Sequence, residues 1–244
     1  MKKNPRVCVV GSINMDMVTT TDKVPEQGET VLGESFTTYP GGKGANQAIA
    51  AARLGAEVVM VGAVGDDAFG KSLKERFRNE GANDEAIITV SHESTGVATI
   101  ILSDGDNRII VAPGANKYVT PEMVKDKQEI ILSCDIILMQ FEIPMETIEY
   151  TVELAYKHGI PVVINPAPYN KVMKKVVEKA TFITPNESEH SAMKQSIDTL
   201  SIKKEDYRDK RRARCCLHLT GWGREDNFFF SGKGKGYYWS RRYL

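Results

Sequence analysis

Cysteine is scarce in this 244-residue chain: Cys8, Cys134, Cys215 and Cys216 are its four, and none forms a CxxC pair. That spacing excludes a disulfide framework, and a chain of this length needs no staples to hold a core. Cys8 and Cys134 stand in apolar stretches and read as buried thiols. Cys215, Cys216 and His218 crowd together, but no second ligand pair follows, as a structural zinc would require. Long hydrophobic runs are missing as well. No stretch approaches membrane-spanning length, and the apolar run at 7–10 is too short for a signal-peptide core. The expectation is a cytoplasmic protein with no membrane partner. A charge surplus is also absent, with 32 basic against 32 acidic residues, which argues against nucleic acid as a partner of the whole chain. Neither GxxxxGK(S/T) nor GxGxxG occurs, so a P-loop or a dinucleotide fingerprint is not indicated.

The neutral balance hides a division. From Lys203 onward there are 12 Lys/Arg and 5 Asp/Glu, whereas the preceding residues carry 20 and 27. Both tryptophans, Trp222 and Trp239, lie in that basic tail. The composition breaks near residue 197, which divides the chain into 1–196 and a divergent basic, aromatic tail at 197–244.

The front part alternates short apolar runs with helical periods. Strands are expected at 7–10, 58–64, 137–141, 161–164 and 181–184, and helices at 43–54, 67–80, 145–158 and 171–180. Strand, helix and strand in repetition imply an α/β fold: a doubly wound, mostly parallel sheet with helices on both faces. Two segments break the rhythm. Residues 17–39 have no helical period, and 97–111 read as two strands joined at Asp104-Gly105. They predict a small antiparallel β lid over the carboxyl ends of the main sheet, where α/β proteins bind ligands.

Four motifs carry chemistry. In Pro40-Gly41-Gly42-Lys43-Gly44-Ala45-Asn46, paired glycines permit close backbone approach, and the following helix aims its first N–H groups at an anion or polar oxygen. Lys43 and Asn46, three apart, can face one ligand. A glycine-rich loop with a good helix start is the plainer alternative. Asn14 and Asp16 follow the first strand and project to one side of an extended chain, which suits hydroxyl recognition; an Asx turn is the competing reading. Glu142 closes an apolar strand and is either a site carboxylate or a helix-start acid. Asn186 and Glu189, three apart at a helix start, suit either a hydrated magnesium ion and phosphate or simple capping.

Taken together, GSINMD at 11–16, PGGKGANQA at 40–48, STGVA at 94–98, PGAN at 113–116, QFEIP at 140–144, INPAP at 164–168 and ITPNESE at 183–189 resemble the ribokinase-like (PfkB) carbohydrate kinase family, in family order. The resemblance covers about residues 5–190, and GGKGANQA marks the ribose-phosphorylating branch rather than the fructose or adenosine kinases. It implies a phosphotransferase that uses ATP to phosphorylate D-ribose at the 5-hydroxyl. It further implies that Asn14, Asp16, Gly42, Lys43, Asn46 and Glu142 bind the sugar hydroxyls. Asn186 would lie on the nucleotide side and, with Glu189 acting through water, would organise Mg2+ and phosphate. The family also uses a monovalent cation such as K+, bound largely past the matched motifs, and often forms a homodimer through the lid.

The resemblance fails past about residue 190. Family members continue with a threonine-glycine nucleotide loop and a GAGD motif, whose amides form an anion hole and whose aspartate takes the sugar proton. No GAGD follows here, so no catalytic base is assigned. Residues 219–223 are a corrupted echo of the nucleotide loop, and 231–238 resemble its hairpin. The expectations are an incomplete C-terminal sheet with a bare edge and little kinase activity from this chain alone. Three readings of the tail stay open: a shifted reading frame or altered splice, a basic aromatic nucleic-acid arm, and true divergence. Two functions follow: an impaired D-ribose kinase, or a non-catalytic sugar-binding or dimerising remnant.

Overall fold

The computed structural model describes residues 4–169 and 174–196, with the backbone of four short strands beyond them. The main sheet is built on β1 (Arg6–Val10), β4 (Glu57–Gly65), β5 (Ile87–Val90), β8 (Ile136–Gln140), β9 (Val162–Asn165) and β10 (Phe182–Ile183). These strands run parallel in the order β10-β9-β8-β1-β4-β5. Their β-branched runs are apolar at consecutive positions because both faces are covered. Along β1, Val7 and Val9 pack under α1 (Lys43–Arg53) and α2 (Ala68–Asn79). Cys8 and Val10 face the opposite layer, formed by α3 (Pro121–Asp126), α4 (Gln128–Leu132), α5 (Met145–Lys157) and α6 (Lys174–Lys179). Cys8 and Cys134 are both buried free thiols.

β1 lies centrally, with β4 on one side and β8 on the other. The chain builds outward from β1 through β4 to β5 and then crosses back to β8. That reversal opens a crevice at the carboxyl ends of β1 and β8, the position at which doubly wound sheets hold ligands. Above it stands a second sheet, in the order β3-β2-β6-β7, formed by β2 (Asn14–Thr20), β3 (Ser35–Gly41), β6 (Gly96–Ser103) and β7 (Asp106–Ala112).

The expected strands and helices are present, with three differences. First, the lid is mixed rather than purely antiparallel: β2 and β6 pair in parallel, and each pairs antiparallel with its outer neighbour. Both inner strands leave the core at adjacent points, Asn14 opposite Gly96, so they must run the same way. The β6–β7 hairpin turns at Asp104 and Gly105, both with positive φ, as a two-residue loop matched to strand twist requires. Second, the periodicity does not reveal α3, α4 or β5, which have 6, 5 and 4 residues. Elements that short complete no period, although Thr120 caps α3 and Pro121 opens it. Third, the edge expected to be bare beyond β10 is paired by β12 (Cys215–His218), which runs antiparallel and is itself paired by β11 (Tyr207–Arg208). β13 (Phe229–Phe230) and β14 (Trp239–Ser240) form a separate pair. The nucleotide-loop echo at 219–223 and the hairpin-like stretch at 231–238 lie outside the described residues. Among the described residues no helix is long and apolar enough to cross a membrane.

Burial makes a quantitative expectation. Ile137 is fully enclosed in the α3–α6 layer, so Ile137→Ala should cost about 2–5 kcal/mol in urea unfolding. Leu32→Ser, at a residue 93% exposed, should stay within about 0.5 kcal/mol of wild type.

Candidate functional site

The site begins where β1 ends. Gly11 and Ser12 bring the chain over the start of α1, and the approach is too close for side chains. A Cβ on Gly44 would lie 2.6 Å from the Ser12 nitrogen and 2.7 Å from the Gly11 carbonyl carbon. Gly42 adopts φ 90°, which glycine reaches without strain. The paired glycines therefore serve backbone-to-backbone contact, and that contact sets α1 against β1 and β2.

Glu142 lies just past the end of β8 and closes this contact. Its Oε1 accepts from Lys43 Nζ at 2.6 Å. Its Oε2 accepts from the Lys43 backbone N–H at 3.0 Å and from the Ser12 hydroxyl at 2.5 Å. The Ser12 hydroxyl oxygen accepts from Gly44 N–H at 3.3 Å, and the Ser12 carbonyl accepts from Ala45 N–H at 2.9 Å. The first turn of α1 is thus capped by a residue 99 positions away, just beyond β8. The anion and polar oxygens expected in front of these N–H groups come from the protein itself: the Glu142 carboxylate and the hydroxyl and carbonyl of Ser12. Glu142 is a helix-start acid, but of α1 rather than of the helix that follows it.

The other predicted residues surround this knot. Asn14 and Asp16 are two apart on β2, opposite Gly41 and Tyr39 of β3, so the extended reading holds and the Asx turn does not. The Asp16 carboxylate lies over Gly41, where an added Cβ would come within 2.1 Å of Oδ1. Burial pushes the Asp16 pKa up, the nearby Glu142 charge pushes the same way, and Lys43 offsets part of the rise. Asn46 sits one turn into α1 with its side chain exposed. Asn14, Asp16, Gly42, Lys43 and Glu142 therefore converge at the carboxyl ends of β1 and β8, with Asn46 beside them.

Asn186 and Glu189 follow β10 and realise the capping arrangement. Asn186 Oδ1 accepts from Glu189 N–H at 2.8 Å, and Glu189 Oε2 accepts from Asn186 N–H at 2.7 Å. Asn186 Nδ2 also donates to Glu189 Oε1 at 2.9 Å. This reciprocal box starts α7 (Glu187–Ser196) and leaves Glu189 9% exposed, its two oxygens still carrying free lone pairs. Among the described residues no three His, Cys, Asp or Glu side chains gather as a direct metal site.

Three side chains were not singled out from the sequence. Ser12 joins Glu142 to α1. Asn116 bonds the backbone on both sides of Ile13. Asp67 caps α2 through Gly70 N–H and accepts from both the amide and hydroxyl of Thr95. Burial works against the Asp67 charge, but these bonds hold its pKa below the usual carboxylate value. Asn116 and Thr95 belong to the PGAN and STGVA motifs, so their motifs were visible while their roles were not.

A mostly parallel α/β sheet, a four-stranded lid and a cluster of charged and amide side chains at the switch point together form the architecture of a carbohydrate-kinase fold. The chain belongs to the pfkB carbohydrate kinase family, whose model matches residues 4–206. It is 46% identical over 187 residues to ribokinase of Bacillus subtilis (strain 168), covering 77% of this chain and 64% of that protein. It is 37% identical to deoxyribokinase of Salmonella typhi over 185 residues, covering 75% of this chain and 60% of the relative. The structure of Arabidopsis thaliana ribokinase complexed with ribose and ATP superposes with a TM-score of 0.73 at 34% identity, covering 78% of this chain and 63% of that one. Thermotoga maritima ribokinase gives 0.70 at 35% identity, covering 77% and 61%. The chain spans less than two thirds of the length of these relatives.

Two outcomes test this geometry. Glu142→Ala removes the acceptor for Lys43, Ser12 and the α1 start; because Lys43 is partly solvated, the expected loss is about 2–3 kcal/mol, below the value for a fully buried pair. Asp16 holds its proton more tightly in the folded than in the unfolded chain, so its charge costs stability as pH rises above the ordinary value of 3.8 through the raised one. Relative to wild type, Asp16→Asn should therefore gain stability as pH is raised from about 3 to about 7, measured by urea unfolding at each pH.

Proposed function

We propose that this chain carries the sugar-binding part and lid of an ATP-dependent kinase that phosphorylates D-ribose at the 5-hydroxyl. The supporting observation is the convergence of Asn14, Asp16, Gly42, Lys43, Asn46 and Glu142 on one crevice. Asp16 accepts sugar hydroxyls as a carboxylate. Lys43 keeps two ammonium hydrogens after its bond to Glu142, and Glu142 keeps a lone pair on Oε1, its Oε2 being taken by the Lys43 amide and the Ser12 hydroxyl. Charged partners for hydroxyl groups make short, strong hydrogen bonds in a partly buried site.

ATP is the proposed co-substrate, with Asn186 on its side of the crevice. Glu189 fits a water-mediated contact to magnesium, which binds through one or two carboxylates and substrate phosphates while keeping several waters. When bound, that ion would neutralise charge developing on the transferred phosphoryl group. A monovalent cation would bind outside the described residues. The basic, aromatic part at 197–244 is proposed as a region distinct from the kinase-like 1–196.

Phosphoryl transfer depends on positioning and on stabilisation of charge. With no GAGD stretch among its residues, the chain lacks an assigned base, a contribution of about 10²–10⁴-fold. Sugar binding without normal turnover is the outcome this reading supports. The lid strands expose apolar side chains on both faces, Phe36 and Ile110 on one and Tyr39, Ile109 and Val111 on the other, and this apolar surface supports homodimer formation through the lid. A cytoplasmic location accords with an ATP-using enzyme.

Calorimetric titration with D-ribose and 2-deoxy-D-ribose, beside an ADP-release assay, tests the proposal. Saturable ribose binding that Asp16→Ala weakens by at least about tenfold is expected. Turnover at the rate of an ordinary kinase would overturn the claim about the base, and absence of sugar binding would overturn the sugar site.

A further inference from the structure

Asn116 is 1% exposed and lies in the 3-10 helix Gly114–Tyr118, just past the last lid strand. Its side-chain amide makes four contacts, three of them to backbone groups. Oδ1 accepts from Ile13 N–H at 2.9 Å. Nδ2 donates toward the Ile13 carbonyl at 3.1 Å, the Pro113 carbonyl at 3.0 Å and Asn14 Oδ1 at 2.8 Å, one of its two hydrogens being shared.

The backbone partners decide which way this amide faces. A backbone N–H only donates and a carbonyl only accepts, so Asn116 must turn its oxygen to Ile13 N–H and its nitrogen to the two carbonyls. The nitrogen therefore also faces Asn14, and Asn14 answers with its oxygen. The backbone thus fixes the Asn116 assignment, and that in turn fixes the assignment of Asn14, which its own partner atoms would leave ambiguous. Asn14 is then left with Nδ2, a donor, as the free end of its amide.

Packing holds this arrangement in place. Gly96, the first residue of β6, lies against both asparagines: a Cβ there would come within 2.3 Å of Asn116 Nδ2 and 2.3 Å of Asn14 Oδ1. The pair is thus enclosed where β2, β6 and the end of β7 meet the core, at the root of the lid.

We propose that Asn116 is a positioning residue that sets the hydrogen-bond polarity of the sugar site, holding Asn14 so that it presents a donor to a sugar hydroxyl oxygen. It acts through Asn14 and does not itself touch the sugar. The inference rests on the reading of Asn14 as a sugar ligand.

The test uses the full chain, wild type and the variants Asn14→Ala, Asn116→Ala, Asn116→Asp and Asn14→Ala/Asn116→Ala, titrated by calorimetry with D-ribose, 2-deoxy-D-ribose and 3-deoxy-D-ribose. Asn116→Asp keeps the size and the acceptor for Ile13 N–H but, as a carboxylate, cannot donate to Asn14; every variant is titrated at a temperature where circular dichroism shows it folded. Asn116→Ala and Asn116→Asp should each lose about tenfold or more in ribose affinity. The double variant should be within about threefold of Asn14→Ala, because removing a positioner of an absent side chain costs little more. The sugar whose affinity Asn14→Ala spares should be spared by the Asn116 variants also. Wild-type ribose affinity in both Asn116 variants would overturn the inference, and so would an equal loss on every sugar while Asn14→Ala remains selective. If wild type binds none of the sugars, the sugar reading itself falls. Side-chain amide NMR then decides the positioning separately: the Asn14 signal, identified by its loss in Asn14→Ala, moves in Asn116→Asp if the orientation is set as proposed, and its failure to move overturns it.

Discussion

The carboxylate of Glu142 is the point on which the rest of the site depends. It comes from the end of β8, yet its partners are the side chain and backbone of Lys43 and the hydroxyl of Ser12. One group thus joins the ends of two central strands to the first turn of α1. The Glu142 side chain is 9% exposed, so its charge requires these partners: a buried carboxylate without them is strongly disfavoured. The same requirement holds Lys43 and the glycine loop in the crevice.

The glycines make that knot sterically possible. α1 approaches the turn after β1 so closely that Gly44 meets backbone atoms of Gly11 and Ser12 directly. Gly41 yields its side-chain space to the Asp16 carboxylate. Asp16 then sits in partial burial near Glu142, and its charge is tolerated in part because Lys43 is close. The crevice concentrates one ammonium and two carboxylates within a small volume, an arrangement suited to hydroxyl-rich ligands and costly without one. The lid rises from the same spot, since Asn14 begins β2 and Gly96 begins β6.

The legibility of these features followed their range in sequence. The core strands could be read because β-branched runs buried on both faces leave a local signature, and α1, α2 and α5 because each completes several turns. The PGGKGAN loop announced itself through adjacent glycines. By contrast, Glu142 was equally consistent with capping the next helix, because nothing local distinguishes a cap for α5 from a cap for α1. Asn116 stood in a visible motif, yet its bonds to Ile13 and Asn14 span 103 and 102 residues. The parallel pairing of β2 with β6 was hidden for the same reason. Strand direction within a sheet depends on where each chain segment leaves the core.

Residue order alone established the α/β alternation, the two-segment lid, the family motifs and the set of polar residues that meet at the crevice. These are properties of periodicity, turn chemistry and residue type, which act over a few positions. Folding settled what each polar group does: which N–H groups of α1 remain free, which helix Glu142 caps, which way the Asn14 amide faces, and how far burial raises Asp16. Those outcomes come from electrostatics and hydrogen bonding between segments about a hundred residues apart, and such partners meet only when the β1–β8 crevice closes around them.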